Sequence, residues 1–105
     1  MVFESVEKLV SGATSTETSA PYHAVNTNSH AFQVIASGSG AVAATVVIEG
    51  TLDYNSGAWI TLETLTVSGT DIASDGFISI GLWKSHRARV TSVGAGTTVD
   101  VLMST

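Results

Sequence analysis

The sequence predicts an all-β domain, an antiparallel β-sandwich of immunoglobulin-like or jelly-roll type with an extended N-terminal arm. Three observations lead there. From Tyr22 onward, six or so short apolar runs recur about every ten residues, a spacing typical of small antiparallel domains. The runs are rich in Val, Ile and Thr, the residues that suit a pleated surface. Between them stand Gly, Ser, Asp and Asn clusters with turn chemistry. At 105 residues there is chain for one core, and no cysteine to brace it.

The opening stretch is the one place where helical spacing occurs, with Val2, Val6, Leu9 and Val10 able to share a face. The same residues suit an arm that strands or coils onto a neighbour. Ser11 to Ala20 is small and polar, ends at the sole proline, Pro21, and reads as a linker. Residues 1–21 are thus assigned to arm and linker, and 22–105 to the sandwich. In the first clear strand, Ala31 to Ser37, Phe32, Val34 and Ala36 lie on one face, with Gln33 and Ile35 on the other. Ser37 to Gly40 is expected to turn the chain into a second strand, Ala41 to Glu49, apolar enough to be buried on both sides.

Asp53 to Gly57 reads as a hairpin loop, and Trp59 opens the returning strand. Within Trp59 to Val67 the apolar parity changes from Ile60 and Leu62 to Leu65 and Val67, which predicts a bulge near Glu63 and Thr64. Ser68 to Gly76 is expected to be a second polar connection. Phe77 to Leu82, His86 to Val93 and Thr97 to Met103 complete the strands, with Gly94 to Gly96 turning the chain between the last two.

Composition narrows function. Charged residues make up 12% of the chain, about half the usual share, so much of its surface is neutral. Such faces suit flat packing against other protein, and they suit an ordinary extracellular β-domain equally. The net charge is −5 and the fixed cations are Lys8, Lys84, Arg87 and Arg89, which excludes a phosphate-tracking surface and with it nucleic acid. No apolar run approaches the ~20 residues of a membrane-spanning helix, and the first residues lack the pattern of a signal peptide.

No catalytic, cofactor or metal site is expected. His23, His30 and His86 are not spaced as a zinc-binding pair. The Asp71 to Asp75 segment lacks the alternation of a calcium loop, and no nucleophile motif or phosphate loop is present. An enzyme is therefore not expected. Trp59 and Trp83 are read either as plugs at the ends of the core or as stacking platforms for a sugar. Arg87 and Arg89 alternate with His86, Ala88 and Val90, which puts both guanidinium groups opposite the apolar side. There they either pair with Glu49, Glu63 or a partner's carboxylates or remain solvated; with Lys84 they form the candidate interface.

The runs TVVIEGTLDYNSGAWITLETLTVSG and DGFISIGLWKSHRARVTSVGAGTTVDVLM resemble a pattern of small tailed-bacteriophage virion proteins of the capsid decoration, head-fibre or tail-associated type. The elements are Ile48, Glu49, Gly50 and Thr51 at a strand end, then Trp59, then Trp83 and Lys84 before Arg87, and finally Val99 with Val101. The resemblance implies a virion protein made in the host cytoplasm and bound to the major capsid protein or another virion protein. It further implies self-association, commonly as a trimer, and stabilisation of the shell as a cement protein. A tail or head-tail component is the alternative within that class, and a carbohydrate-binding or adhesin-like module the alternative outside it.

Overall fold

The computed structural model describes residues 6–23, 29–81 and 83–105. Val2 and Glu4 of the expected arm, most of the segment between His23 and His30, and Leu82 at the expected end of a strand lie outside these residues. The chain forms β1 (Val6–Ala13), β2 (Glu17–Thr18), β3 (Tyr22–His23), β4 (Ser29–Thr51), β5 (Ile60–Ile80), β6 (Ser85–Val93) and β7 (Thr98–Ser104), with one 3-10 turn at Tyr54–Ser56. Every pairing is antiparallel, in the order β1-β7-β4-β6-β2, with β3 against β6 and β5 against β4.

Register reduces this order to four long, bent ribbons. β5 runs the length of β4, from Ser29 opposite Ile80 to Gly50 opposite Ile60. Along the other edge of β4, β7 pairs Phe32 to Ser37 and β6 pairs Ala44 to Thr51, both antiparallel, so β6 and β7 run in the same direction as one interrupted strand. β1, β2 and β3 follow that interrupted strand in turn. The sheet is folded across its middle and nearly closed, like a flattened barrel; Phe32 from one half reaches His86 from the other, with ring centroids 5.2 Å apart. Because β4 and β5 each serve both halves, the strands form one continuous sheet where two separate sheets were expected.

Three glycine-containing segments create the fold line, and they correct the expectation that each reverses or disconnects the chain. Residues 38–40 of β4 stand against the single residue Asp71 of β5. Gly40 (φ 92°) and Asp71 (φ 66°) both have left-handed backbones, and the Asp71 carboxylate accepts a 2.8 Å hydrogen bond from the Gly40 N–H. A side chain on a residue forced to positive φ strains the backbone, so that hydrogen bond helps hold Asp71 there. At the same level Gly94 to Gly96 makes a jog between β6 and β7, where the Gly94 N–H donates to the Ala43 carbonyl at 2.8 Å. Two residue clusters with turn composition facing one another across a ladder therefore bend the sheet without ending its strands.

From Val6 onward the expected arm forms β1, not a helix, and places Val10 and Ala13 in the core. Residues within the expected linker also pair, Glu17 and Thr18 with β6. Phe32, Val34 and Ala36 on one side of the fold line and Val42, Ala44, Val46 and Ile48 on the other point inward and meet Leu65, Val67, Ala88, Val90, Val99, Val101 and Met103. The expected bulge in β5 is present one residue earlier: Ile48 faces Glu63 and Glu49 faces Thr61, leaving Leu62 as the extra residue. The hairpin loop is as expected, with the Asp53 carboxylate accepting from the Asn55 N–H at 3.1 Å and Gly57 in the left-handed region.

Candidate functional site

The fold produces two outer faces of different character. One, formed by the C-terminal half of β4, β6 and the start of β5, carries the chain's most developed polar cluster. Glu49 projects outward from β4 directly opposite Arg87 of β6, and Arg89 lies two residues along the same strand face. Cross-strand neighbours on one face of a sheet stand within side-chain reach, which is why alternation in HRARV and the parity of Glu49 suffice to bring the three together.

Glu49 is only 5% exposed. One carboxylate oxygen accepts from Arg87 Nε at 2.7 Å, and the other lies 3.6 Å from Arg89 Nη2. The Arg87 guanidinium is stacked 4.3 Å from the centre of the Trp59 ring. Trp59 thus holds the guanidinium by a cation–π contact while Glu49 accepts from its Nε. Two cations on one anion leave a local excess of one positive charge on a molecule whose net charge is −5. Arg89, its side chain 42% exposed, is the member with donors free to meet a partner.

Lys84 is not part of this cluster: it is exposed, its backbone N–H donates to the Thr51 carbonyl, and among the described residues its side chain makes no ion pair. The two tryptophans separate as well. Trp83 lies across Gly50 beside Leu62, closing the inner side of the sheet at the end away from the fold line; a Cβ at Gly50 would come within 3.1 Å of the Trp83 ring. Trp59 sits on the outer face, with one ring face taken by Arg87. Tyr54, half exposed, packs against His23 with centroids 4.3 Å apart, and His23 Nδ1 is 2.7 Å from the Ser85 hydroxyl.

A second cluster lies in the core, where no spacing motif in the sequence marks it. His30, whose neighbours in the sequence have the composition of a loop, lies on β4 with its side chain in the core, 5.1 Å from His86 across the fold. Its Nδ1 is 2.8 Å from the Ser104 carbonyl, which requires a proton on that nitrogen, and its buried Nε2 has no partner among the described residues. His86 Nε2 meets the Ser79 hydroxyl at 3.1 Å, and among the described residues its Nδ1 has no partner. Burial, with the neighbouring His30 as a smaller cause, lowers the pKa of His86 from 6.5 to about 4. The signal available was parity: His30 is in step with Phe32, Val34 and Ala36.

The Ser79–His86 pair has the contact of a nucleophile and its base, yet Ser79, His86 and His30 are all buried, so the hydroxyl does not face solvent. Among the described residues no group of three or more His, Cys, Asp or Glu converges as metal ligands, and no helix is long and apolar enough to cross a membrane. The buried cluster joins the two halves of the sheet at their open ends.

No protein-family model matches the chain, and no curated protein matches it in sequence. Among solved structures it is similar to the SPBc2 prophage-derived protein YomS, at 15% identity and a TM-score of 0.59, over 98% of this chain and 94% of that one. It is also similar to PirA, at 12% identity and a TM-score of 0.47, over 100% of this chain and 95% of that one. At 15% identity the likeness to YomS is one of fold.

Proposed function

We propose that this chain is a structural protein of a tailed-bacteriophage virion, a capsid decoration or cement protein that binds the shell and stabilises it. The observation that carries the reading is the fold shared, nearly end to end, with a prophage-derived protein of almost the same extent. The resemblance of residues 42–103 to small virion proteins points the same way, as does a surface with few charges. In this reading the shell is met by the Arg87, Arg89 and Trp59 face, where a preorganised guanidinium pair offers donors to a carboxylate of the major capsid protein. Self-association accompanies shell binding.

The test is the copy number of the protein in purified particles, combined with the heat resistance of particles assembled without it. Hundreds of copies per particle, and particles that fail at lower temperature in its absence, support the cement reading. A few to dozens of copies confined to tails would replace it with a tail or head-tail component. Absence from particles, together with retention on a glycan column, would move the protein to the carbohydrate-binding class. The stacking of Arg87 on Trp59 counts against that class, because it occupies a ring face that a sugar would need.

A further inference from the structure

The opposite outer face differs from the arginine face in every respect. It is built from β1, β7, the first half of β4 and the last half of β5, and register defines its rows. Val6 stands opposite Ser104 and Ala31 opposite Ile78, and the Ala31 N–H donates to the Ser104 hydroxyl at 2.7 Å, so the four form one row across the strands. Lys8, Leu102, Gln33 and Gly76 form the next; Ile35 and Ile72 follow toward the fold line, and Ile80 lies beyond Ile78. Val6, Ile72 and Ile78 are 63–64% exposed and Ile80 is 80% exposed, while Leu102 and Ile35 are half-buried between them.

We infer that this face is the self-association surface of the protein, and that two copies pack it face to face about a two-fold axis, with Ile78 of each seated between Val6 and Ile78 of the other.

Charge supports a second copy as the occupant. Lys8 and Asp100 are the charged side chains in these rows, and they lie 3.7 Å apart as an ion pair. The face is therefore neutral on a molecule of net charge −5, so two copies can meet here without opposing their excess charge. Shape supports it too. The row from Val6 to Ile78 reads large, small, small, large, and its middle is a depression of about 170 Å³ lined by Val6, Ala31, Leu102 and Ser104 among others. A protruding Ile78 from the partner fills that depression while its own receives the same residue in return, the self-complementary arrangement of a two-fold interface.

The contact is made by faces and not by strand addition. β5 is an edge strand, but the Asp75 carboxylate accepts from the Gly76 N–H at 2.8 Å and the Glu63 carboxylate from the Thr64 N–H at 2.9 Å, so that two of its backbone donors are already engaged by acidic side chains. Four strands at ~4.8 Å spacing and six or seven residues along each give a footprint on the order of 400 Å² per copy. That is about half a standard interface, the size of a weak, reversible dimer.

The experiment is sedimentation equilibrium of the intact chain between about 5 and 500 µM at neutral pH, on the wild type and on Ile78→Lys, Ile80→Lys and Leu52→Lys. Leu52 is 67% exposed in the loop before the 3-10 turn, outside the four-strand face. Both isoleucine positions are exposed, so folding is expected to survive and is checked by the thermal midpoint. Concentration-dependent dimerisation that weakens tenfold or more in Ile78→Lys and Ile80→Lys, and is unchanged in Leu52→Lys, is expected. A wild type that stays monomeric throughout the range, a trimer, or a dimer insensitive to Ile78→Lys and Ile80→Lys would overturn the assignment. None of these results bears on the copy number in particles, which tests the virion reading separately.

Discussion

Acidification should open this fold at the end farthest from its fold line, through His86. In the unfolded chain that imidazole takes up a proton near its ordinary pKa of 6.5; in the folded chain it does so only near 4, because the ring is buried between the two halves of the sheet. The groups facing it are His30, Phe32 and the Ser79 hydroxyl, and none of the three is an anion that would welcome the charge. Above pH 7 both states are neutral at this residue and it contributes no pH dependence. As pH falls through 6.5 the unfolded state binds a proton that the folded state refuses, so stability declines until about pH 4 and then levels off for this group. At about 1.4 kcal/mol per pH unit, the interval is worth about 3 kcal/mol, a large part of the 5–15 kcal/mol typical of a small domain.

The assay is urea unfolding at several pH values from 7.5 to 4, comparing wild type with His86→Gln. Carboxylates titrate toward the acid end of this range in both proteins, so the difference between the two curves isolates His86. The variant is expected to start less stable at pH 7.5, having lost part of a buried contact, and to lose about 3 kcal/mol less than wild type by pH 4. Parallel curves, or an NMR titration placing the His86 midpoint near 6.5 in the folded protein, would refute the reasoning.

Other substitutions test the outer face and the fold line. Arg87→Ala should lower stability by about 1–2 kcal/mol, since it strips the closer partner from a buried carboxylate, although its own partial exposure moderates the loss. Lys84→Ala should change stability by less than about 0.5 kcal/mol in the same denaturation experiment; equal effects would mean that the Glu49 pair contributes nothing. Arg87→Ala should also increase iodide quenching of tryptophan fluorescence by uncovering the Trp59 ring, whereas unchanged quenching would contradict the stacked geometry. Gly38→Ala should cost about 2 kcal/mol or more, because its Cβ would be driven into the backbone carbonyl of Gly96 and neither backbone segment can yield cheaply. A thermal midpoint within a degree of wild type would show that the bend does not bring those segments together.

Much of the site was legible locally. Alternation in HRARV and the odd parity of Glu49 place Arg87, Arg89 and Glu49 on outward strand faces, and a parity change between Leu62 and Leu65 reveals a bulge within a residue or two of where it lies. His86 could be assigned to the apolar side with Ala88 and Val90 by the same reasoning. His30 was harder, since a histidine beside an asparagine-rich stretch has the composition of a loop, and only its parity with Phe32 betrays the core position.

What the sequence determined by itself was the kind of domain: all-β, antiparallel, with one core, few charges and strand faces assigned by the two-residue period. Side-chain alternation is a local property of extended backbone, so it can be read one strand at a time. Only the tertiary structure decided whether a glycine-rich segment reverses the chain or bends it. Ser37 to Gly40, Ser68 to Gly76 and Gly94 to Gly96 all have turn composition, and each instead lies at the fold line of a continuing sheet. That outcome depends on the three segments aligning across neighbouring strands, where Gly40 meets Asp71 and Gly38 nests on Gly96, and long-range register of this kind leaves no mark on any one stretch of sequence.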